Sequence, residues 1–513
     1  MDAIALSIFA SRIEAVCDEM GAVLKRVAFS PNIRDRLDYS CAIFDTQGEL
    51  CAQAAHIPVH LGSMAYAAKD IISQIAWAPG DMVVLNDPYL GGTHLPDITL
   101  IAPVFHGGHL VGYVANRAHH ADIGASSPGS MPVSSDLAEE GVIIPPTHLL
   151  ENDRETDFMQ QLLDALQNPK QSHGDFSAQI SANRRGIQRL LELIDAEGGE
   201  RAYQQALVAL NDYAARMAEH ALQSIQPGTY CFSDYMDDDG QGTENIAIRA
   251  SLEVSPGRVH VDFTGTARQV RGNINCPLSV AAAAVYYVFR CLMPDNIPAC
   301  AGSFKHISLS APEGCLLNAQ RPAAVAAGNV ETSMRVVDVI IGALSQAIPE
   351  KMPAASYGSM NNLAMGAAAD KHQPAWDYYE TIGGGLGASY LYDGLSGVQS
   401  HMTNTLNTPI EVLEMNYPLR VNTYGLRRDS AGKGDHVGGQ GIIRSYTLLK
   451  DTHVTLLTER RRHAPWGING GAASPGENLI NGKPCPAKFS RQLKAGDCLT
   501  IKTPGGGGYT KRS

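Results

Sequence analysis

NDPYLGGTHLPDITLIAPVFHGGHLVGYVANRAHHADIG, residues 86–124, places two apolar runs on either side of a short polar turn. ITLIAPVF (98–105) and LVGYVANRA (110–118) are rich in β-branched and aromatic residues, and HGGH (106–109) is turn-forming, so the pattern predicts an antiparallel hairpin. DMVVLN (81–86) reads as a further strand ahead of it. If Phe105 pairs with Leu110, a regular ladder makes Asp97 face Ala118 and Pro96 face His119. Both polar loops then meet at one end of the sheet. THLPD supplies His94 and Asp97, and AHHADIG supplies His119, His120 and Asp122. Cross-strand neighbours lie about 5 Å apart, so imidazoles and carboxylates from the two loops could share one ion. Such a mixed nitrogen and oxygen set suits zinc, manganese or iron better than magnesium or calcium, with zinc and manganese the leading expectations. A cation of that kind polarises a carbonyl or lowers the pKa of a water to about 7, and amide hydrolysis needs both effects. Loops also use His, Asp, Gly and Pro for turn geometry alone, so it is the convergence of several donors that carries the reading. His106 and His109, at the far end of the hairpin, are expected on the surface.

The chain has 513 residues, enough for two or three domains with substantial cores. It is 44% apolar and 18% charged, and its 50 glycines exceed the background of about 7%, which implies many tight loops. A net charge of -12, with no basic run longer than ERRRH at 459–463, gives no footprint for a nucleic-acid backbone. The 10 cysteines are scattered without a C-x-x-C pair, which fits a reducing cytoplasm. The N-terminal MDAIALSIFASRIEAVCDEMGAVLKRV lacks a basic leader and sets Ile13, Val16, Met20, Val23 and Leu24 at helical spacing, so it reads as an amphipathic helix. No apolar run approaches the roughly 18 residues that would suggest a membrane span.

DYSCAIFDTQGELCAQ (38–53) predicts a second hairpin turning near Gly48, and residues 62–76 a helix. A long amphipathic helix built on Tyr203, Leu207, Leu210, Met217 and Ala221 stops at Pro227-Gly228. Short β-like runs follow, then the apolar LSVAAAAVYYVFRCLM, a buried helix; from about residue 420 turn residues break up short strands. The expected fold class is therefore α/β, of mixed α+β type and multi-domain, with mixed and antiparallel sheets flanked by helices. The expected boundaries are 1–228 for a domain carrying the metal site, 229–420 for a central α/β domain and 421–513 for a β-rich C-terminal region.

Ten ordered motifs make the sequence resemble the hydantoinase B/oxoprolinase family. They include RLDYSCAIFD (36–45), HIPVHLGSM (56–64), NDPYLGGTHLPD (86–97), AHHADIG (118–124), GDFSAQISANRRG (174–186), AAGNVETSMRVVDVIIGAL (326–344) and TPGGGGY (503–509). The resemblance implies a divalent metal held by His94, Asp97 and His119. It further implies that Asp122 and Asp38, at the family's Asp positions, complete the shell or act as general base. His120 fills a slot that varies in the family, and Ala125 stands where a second glycine is common. The implied activity is that of the metal-containing subunit of an ATP-dependent cyclic amidohydrolase, opening hydantoin-like, 5-oxoproline or lactam rings in the cytoplasm. Ketone carboxylases share the scaffold, so a carboxylase subunit is the first alternative and a non-catalytic assembly subunit the second.

No G-x-x-x-x-G-K-[ST] loop is present, and TIGGGLGAS (381–389) lacks the following helix and acidic partner of a dinucleotide site. It reads as a tight loop and a candidate substrate-facing segment. The resemblance places ATP and magnesium in a hydantoinase A-type partner subunit, implying a hetero-oligomer. Tyr378, Tyr379, Tyr392 and Asn404 are candidates for lining a pocket or interface. TERRRHAPWG (458–467) offers phosphate-neutralising charge or a solvated face.

Overall fold

The computed structural model describes residues 1–54, 57–125, 127–368 and 375–511. His56, in the quoted HIPVHLGSM motif, lies outside the described residues. The first sheet has seven strands: β1 (Tyr39–Phe44), β2 (Leu50–Ala54), β3 (Met82–Leu85), β4 (Asp97–His106), β5 (His109–His119), β6 (Thr147–Glu151) and β7 (Arg154–Glu155). Their spatial order is β2-β1-β5-β4-β3-β6-β7, with every neighbouring pair antiparallel. The anticipated hairpins are β1–β2 and β4–β5. Gly48, at φ 77°, supplies the left-handed residue of the first turn.

The register of the second hairpin corrects the regular ladder expected from sequence. Phe105 does face Leu110, but a bulge then leaves Val111 unpaired and sets Val104 opposite Gly112. From there onward the ladder is displaced by one, so Asp97 faces His119 directly. Gly112 fits because a Cβ there would lie 2.6 Å from the Phe44 carbonyl oxygen on β1.

One face of this sheet is covered by α1 (Ala3–Val27) and α3 (Pro169–Glu197), and the other meets α2 (Pro58–Ser73). α1 buries Ile13, Val16, Met20 and Leu24 of the stripe expected from its spacing, with Phe9 added to it and Val23 half-buried at its edge. α2 begins at Pro58, four residues ahead of the predicted start. Gly62 allows it to approach α5 (Leu278–Cys291), since a Cβ at that position would meet Ala283 Cα at 2.4 Å. Between them in sequence, α4 (Glu200–Leu222) is the expected amphipathic helix.

β8 (Gly228–Asp238), β9 (Glu244–Ser255), β10 (Arg258–Asp262) and β11 (Ile307–Ser310) form a second, mixed sheet, and two further sheets take their strands from residues 362–502. One of these joins β12 (Asn362–Ala367) and β13 (Trp376–Glu380) to strands 452–457 and 488–493. The largest apolar core runs from Phe9 to Tyr509, so residues on both sides of 228 and of 420 share it. Among the described residues no helix is long and apolar enough to cross a membrane.

Glycine-rich segments of the C-terminal half are buried backbone layers. Gly439 donates to Leu386 O at 2.8 Å, Gly506 to Gly439 O at 2.9 Å, Gly432 to Gly506 O at 2.9 Å and Ala388 to Gly507 O at 2.9 Å. A Cβ on Gly385 would lie 2.0 Å from Gly439 O, so the glycines of TIGGGLGAS are spacing for this layer, while its first residue, Thr381, lines the cavity described below. TERRRHAPWG is likewise neither a phosphate clamp nor a solvated face. Arg460 is fully buried, paired with Asp234 at 2.8 Å and also with Asp338, while Arg461 bonds Asn361 and Asn478. Of the three arginines Arg461 is half-buried and Arg462 alone is exposed, beside Glu244.

Candidate cation site

The corrected register brings Asp97, at the start of β4, against His119, at the end of β5. Asp97 Oδ1 lies 3.1 Å from His119 Nδ1 and 3.1 Å from His94 Nε2. The two imidazole centroids are 5.2 Å apart, and the ligand atoms of His94, Asp97 and His119 all fall within 4.8 Å of one another. All three side chains are buried. His94 Nε2 and His119 Nε2 make no hydrogen bond. His94 Nε2 facing the Asp97 carboxylate and a buried His119 Nε2 with no hydrogen bond fit a divalent cation, which would supply the missing contact.

Neighbouring groups fix the direction of each donor. Asp97 Oδ2 accepts from the Thr93 hydroxyl at 2.6 Å and from Asn329 Nδ2 at 3.3 Å, and His60 Nε2 stands 3.2 Å away. His94 Nδ1 lies 3.2 Å from the Ala326 carbonyl oxygen, the outer contact that sets an imidazole's tautomer. Ala326 is braced in turn by Glu140, whose Oε1 accepts from the amides of Val325 and Ala326 at 3.0 Å each and from Ser134 at 2.7 Å. Burial pushes the Glu140 carboxyl up to about 7 against these hydrogen bonds. The His119 ring stacks on Tyr379 with centroids 4.8 Å apart and planes at 11°.

Burial disfavours charge on every group, and the partners decide the outcome. At Asp97 burial works upward, but the imidazoles of His94 and His60 and the hydrogen bonds from His119 and His60 hold the carboxyl well below its usual range. At His94 burial is outweighed by Asp97 and the pKa is raised; at His119 burial prevails and it is lowered. The set is thus an ionised carboxylate beside one imidazole that prefers to be neutral, the form in which histidine ligates.

A cavity of about 20 Å³ lies among these residues, with Asp38, Val330, Met360, Thr381, Thr403 and Thr405 completing its wall. That volume takes one ion or water and no organic ring. Asp38 arrives through strand pairing: Tyr39 faces Ala118, and the His119 amide donates to Asp38 O at 3.0 Å. Asp122, expected at the site, does not line the cavity. Its Oδ1 accepts from the Gly124 amide at 2.9 Å and its Oδ2 from the Asn168 amide at 2.7 Å, so both oxygens are spent on loop geometry. His120 points the other way along β5, to Gln179 at 2.9 Å and the Phe176 ring. Of the pocket candidates, Tyr379 lines the cavity, Tyr378 is buried against Glu380, and Tyr392 and Asn404 are exposed.

The sequence reading missed His60 and Asn329. Both lie inside motifs quoted for the resemblance, HIPVHLGSM and AAGNVETSM, which is the signal that would have found them.

The sequence signature described as hydantoinase B/oxoprolinase matches residues 2–512. The chain belongs to the hydantoinase B/oxoprolinase family. It is 38% identical over 548 residues to 5-oxoprolinase 1 of Arabidopsis thaliana, covering 99% of this chain and 42% of that protein. It thus spans about two-fifths of the length of relatives named 5-oxoprolinase. Its backbone superposes on the ATP-dependent caprolactamase of Pseudomonas jessenii with TM-score 0.91 and 27% identity, covering 99% of this chain and 91% of that one. Acetone carboxylase in its nucleotide-free form shares the fold, with TM-score 0.88 at 19% identity, over 99% of this chain and 76% of that one.

Proposed function

We propose that this protein is the cation-holding component of an ATP-dependent hydrolase that opens cyclic amides of the lactam, 5-oxoproline or hydantoin type. The observation that carries the reading is the buried His94, Asp97 and His119 set around a one-atom cavity, with His94 Nε2 facing the carboxylate and His119 Nε2 making no hydrogen bond. Zinc or manganese suits the donors. When bound, such a cation supplies Lewis acidity toward a carbonyl oxygen and acidifies a water.

The chain's own residues do the rest. Asp97 stays ionised with Oδ2 held by Thr93 and Asn329, which leaves Oδ1 facing both imidazoles. Asp38 and His60, on the cavity wall, are placed to take the proton of an attacking water. Tyr379 closes the side behind His119 to solvent. The substrate arrives activated: an ATP-binding partner of hydantoinase A type, with magnesium, transfers a phosphoryl group to the amide oxygen. Water then adds to that carbon, the ring nitrogen takes up a proton, and the C–N bond breaks to leave an acyl phosphate; a second water hydrolyses it to the carboxylate and inorganic phosphate, so ATP and two waters yield ADP, phosphate and the opened acid. In relatives named 5-oxoprolinase the matching region is part of a much longer chain, which supports a second component working beside this one.

Co-expression with the adjacent A-type subunit, metal analysis and an ATP-dependent ring-opening assay on a small panel of cyclic amides test the reading together. Turnover by this chain alone without nucleotide refutes the two-component scheme. A requirement for bicarbonate favours the carboxylase alternative, which the shared fold of acetone carboxylase keeps in view.

A further inference from the structure

One turn of backbone reaches both sides of this site. Residues Gly328–Thr332 form a π-helical turn, a rare geometry that concentrates at functional positions. From it Asn329 contacts Asp97 directly. Two residues on, Glu331 is fully buried, accepts from Asn362 Nδ2 at 2.8 Å through Oε1, and leaves Oε2 without a hydrogen-bond partner. Asn362 Oδ1 accepts the Tyr379 hydroxyl, and the Tyr379 ring is the one stacked on His119. A carboxyl in such a place is costly to bury, and an apolar side chain would fill the space without that cost.

We propose that Glu331 is a positioning residue for the cation site: through Asn362 it fixes the Tyr379 hydroxyl, and so the ring plane that orients the His119 imidazole. Glu331 does not line the cavity; it acts through two intermediaries. Asp97 holds one nitrogen of His119 but leaves the ring free to tilt about that contact. The stacked phenol removes the tilt, and Asn362 with Glu331 keeps the phenol from turning. Outer contacts of this kind typically change metal affinity by about 10–100-fold when removed. Burial pushes the Glu331 carboxyl up to about 8, so glutamine is its nearest neutral mimic and keeps the acceptor oxygen.

The test uses the full-length chain, stripped with a chelator and titrated with Co2+, reading both affinity and the visible ligand-field band. Glu331→Gln is expected to stay within about twofold of the parent, while Glu331→Met weakens Co2+ binding by about tenfold or more and alters the band. Should Glu331→Met fail to fold, Tyr379→Phe keeps the ring, deletes the hydroxyl and is expected to shift the same band. Where both fold, the double variant is expected to lose less than the two single losses combined, because they interrupt one chain of contacts. Unchanged affinity and band in Glu331→Met and Tyr379→Phe, or equal losses in Glu331→Gln and Glu331→Met, overturn the proposal. It rests on the cation reading of the site: a parent chain that takes up no Co2+ overturns both, whereas uptake with unmoved variants overturns Glu331's role alone.

Discussion

Asp97 joins more of the site than any other side chain. One oxygen stands 3.1 Å from each of two imidazoles while the other is held by Thr93 and Asn329 and approached by His60. Removing it leaves buried nitrogens with neither a counter-charge nor a shared ion. Asp97→Ala and His94→Ala are each expected to lower bound metal and turnover of the complex by more than about a hundredfold, beyond what loss of an outer contact costs. Turnover that survives both variants would instead mark an assembly subunit. Glu140 gives a different readout. Its folded pKa is raised from an ordinary 4.5 to about 7, so its contribution is fully present below 4.5 and is lost as pH rises to about 7. Stability falls over that window by on the order of 3 kcal/mol, at about 1.4 kcal/mol per unit. Chemical denaturation of Glu140→Gln between pH 4.5 and 7 is expected to show a flatter profile than the parent. An identical slope in both would remove Glu140 as its source.

The β4–β5 hairpin delivers the donors, and its two runs rich in β-branched and aromatic residues around HGGH made it legible in the sequence. The bulge at Val111 was not legible, because register depends on the neighbouring strand: β1 packs its Phe44 carbonyl where only a glycine fits. A methyl at that point is expected to cost about 1–3 kcal/mol, so Gly112→Ala is expected to lower the midpoint of denaturant unfolding. The clustering of His94, Asp97 and His119 could be inferred from two loops at one sheet end, even with the pairing one residue out. Asp122 misled because a short polar loop uses carboxylates for its own turns, here capping Gly124 and Asn168. Thr403 and Thr405 belong to a segment, residues 403–409, without regular secondary structure, and they close a cavity too small for a ring. If substrate enters past this segment, its amides are expected to exchange with deuterium faster than those of β4, and to slow when a lactam saturates the complex. Exchange as slow as in β4 and indifferent to lactam would point to another route of entry.

At the scale of the whole molecule, the site draws on widely separated parts of the chain: His60 from α2, His94 from the loop ahead of β4, Asp97 and His119 from the β4–β5 hairpin, Ala326 and Asn329 from the central stretch, and Tyr379 from β13. Composition and period hinted at three regions, but a shared core from Phe9 to Tyr509 joins them. The glycine-rich C-terminal segments looked like surface turns because glycine usually marks turns; here its missing Cβ lets backbones stack in the interior. A fragment ending at residue 228 keeps all three proposed ligands yet lacks the carbonyl of Ala326, the amide of Asn329 and the ring of Tyr379. It is expected to show no Co2+ uptake at concentrations that saturate the full chain, as read by equilibrium dialysis. The separation of 232 positions between His94 and the Ala326 carbonyl that orients it also sets an order of events on the ribosome. The nascent polypeptide cannot finish this pocket until its later half has been translated and docked, so under the proposed cation reading tight ion uptake is expected only once the chain is complete.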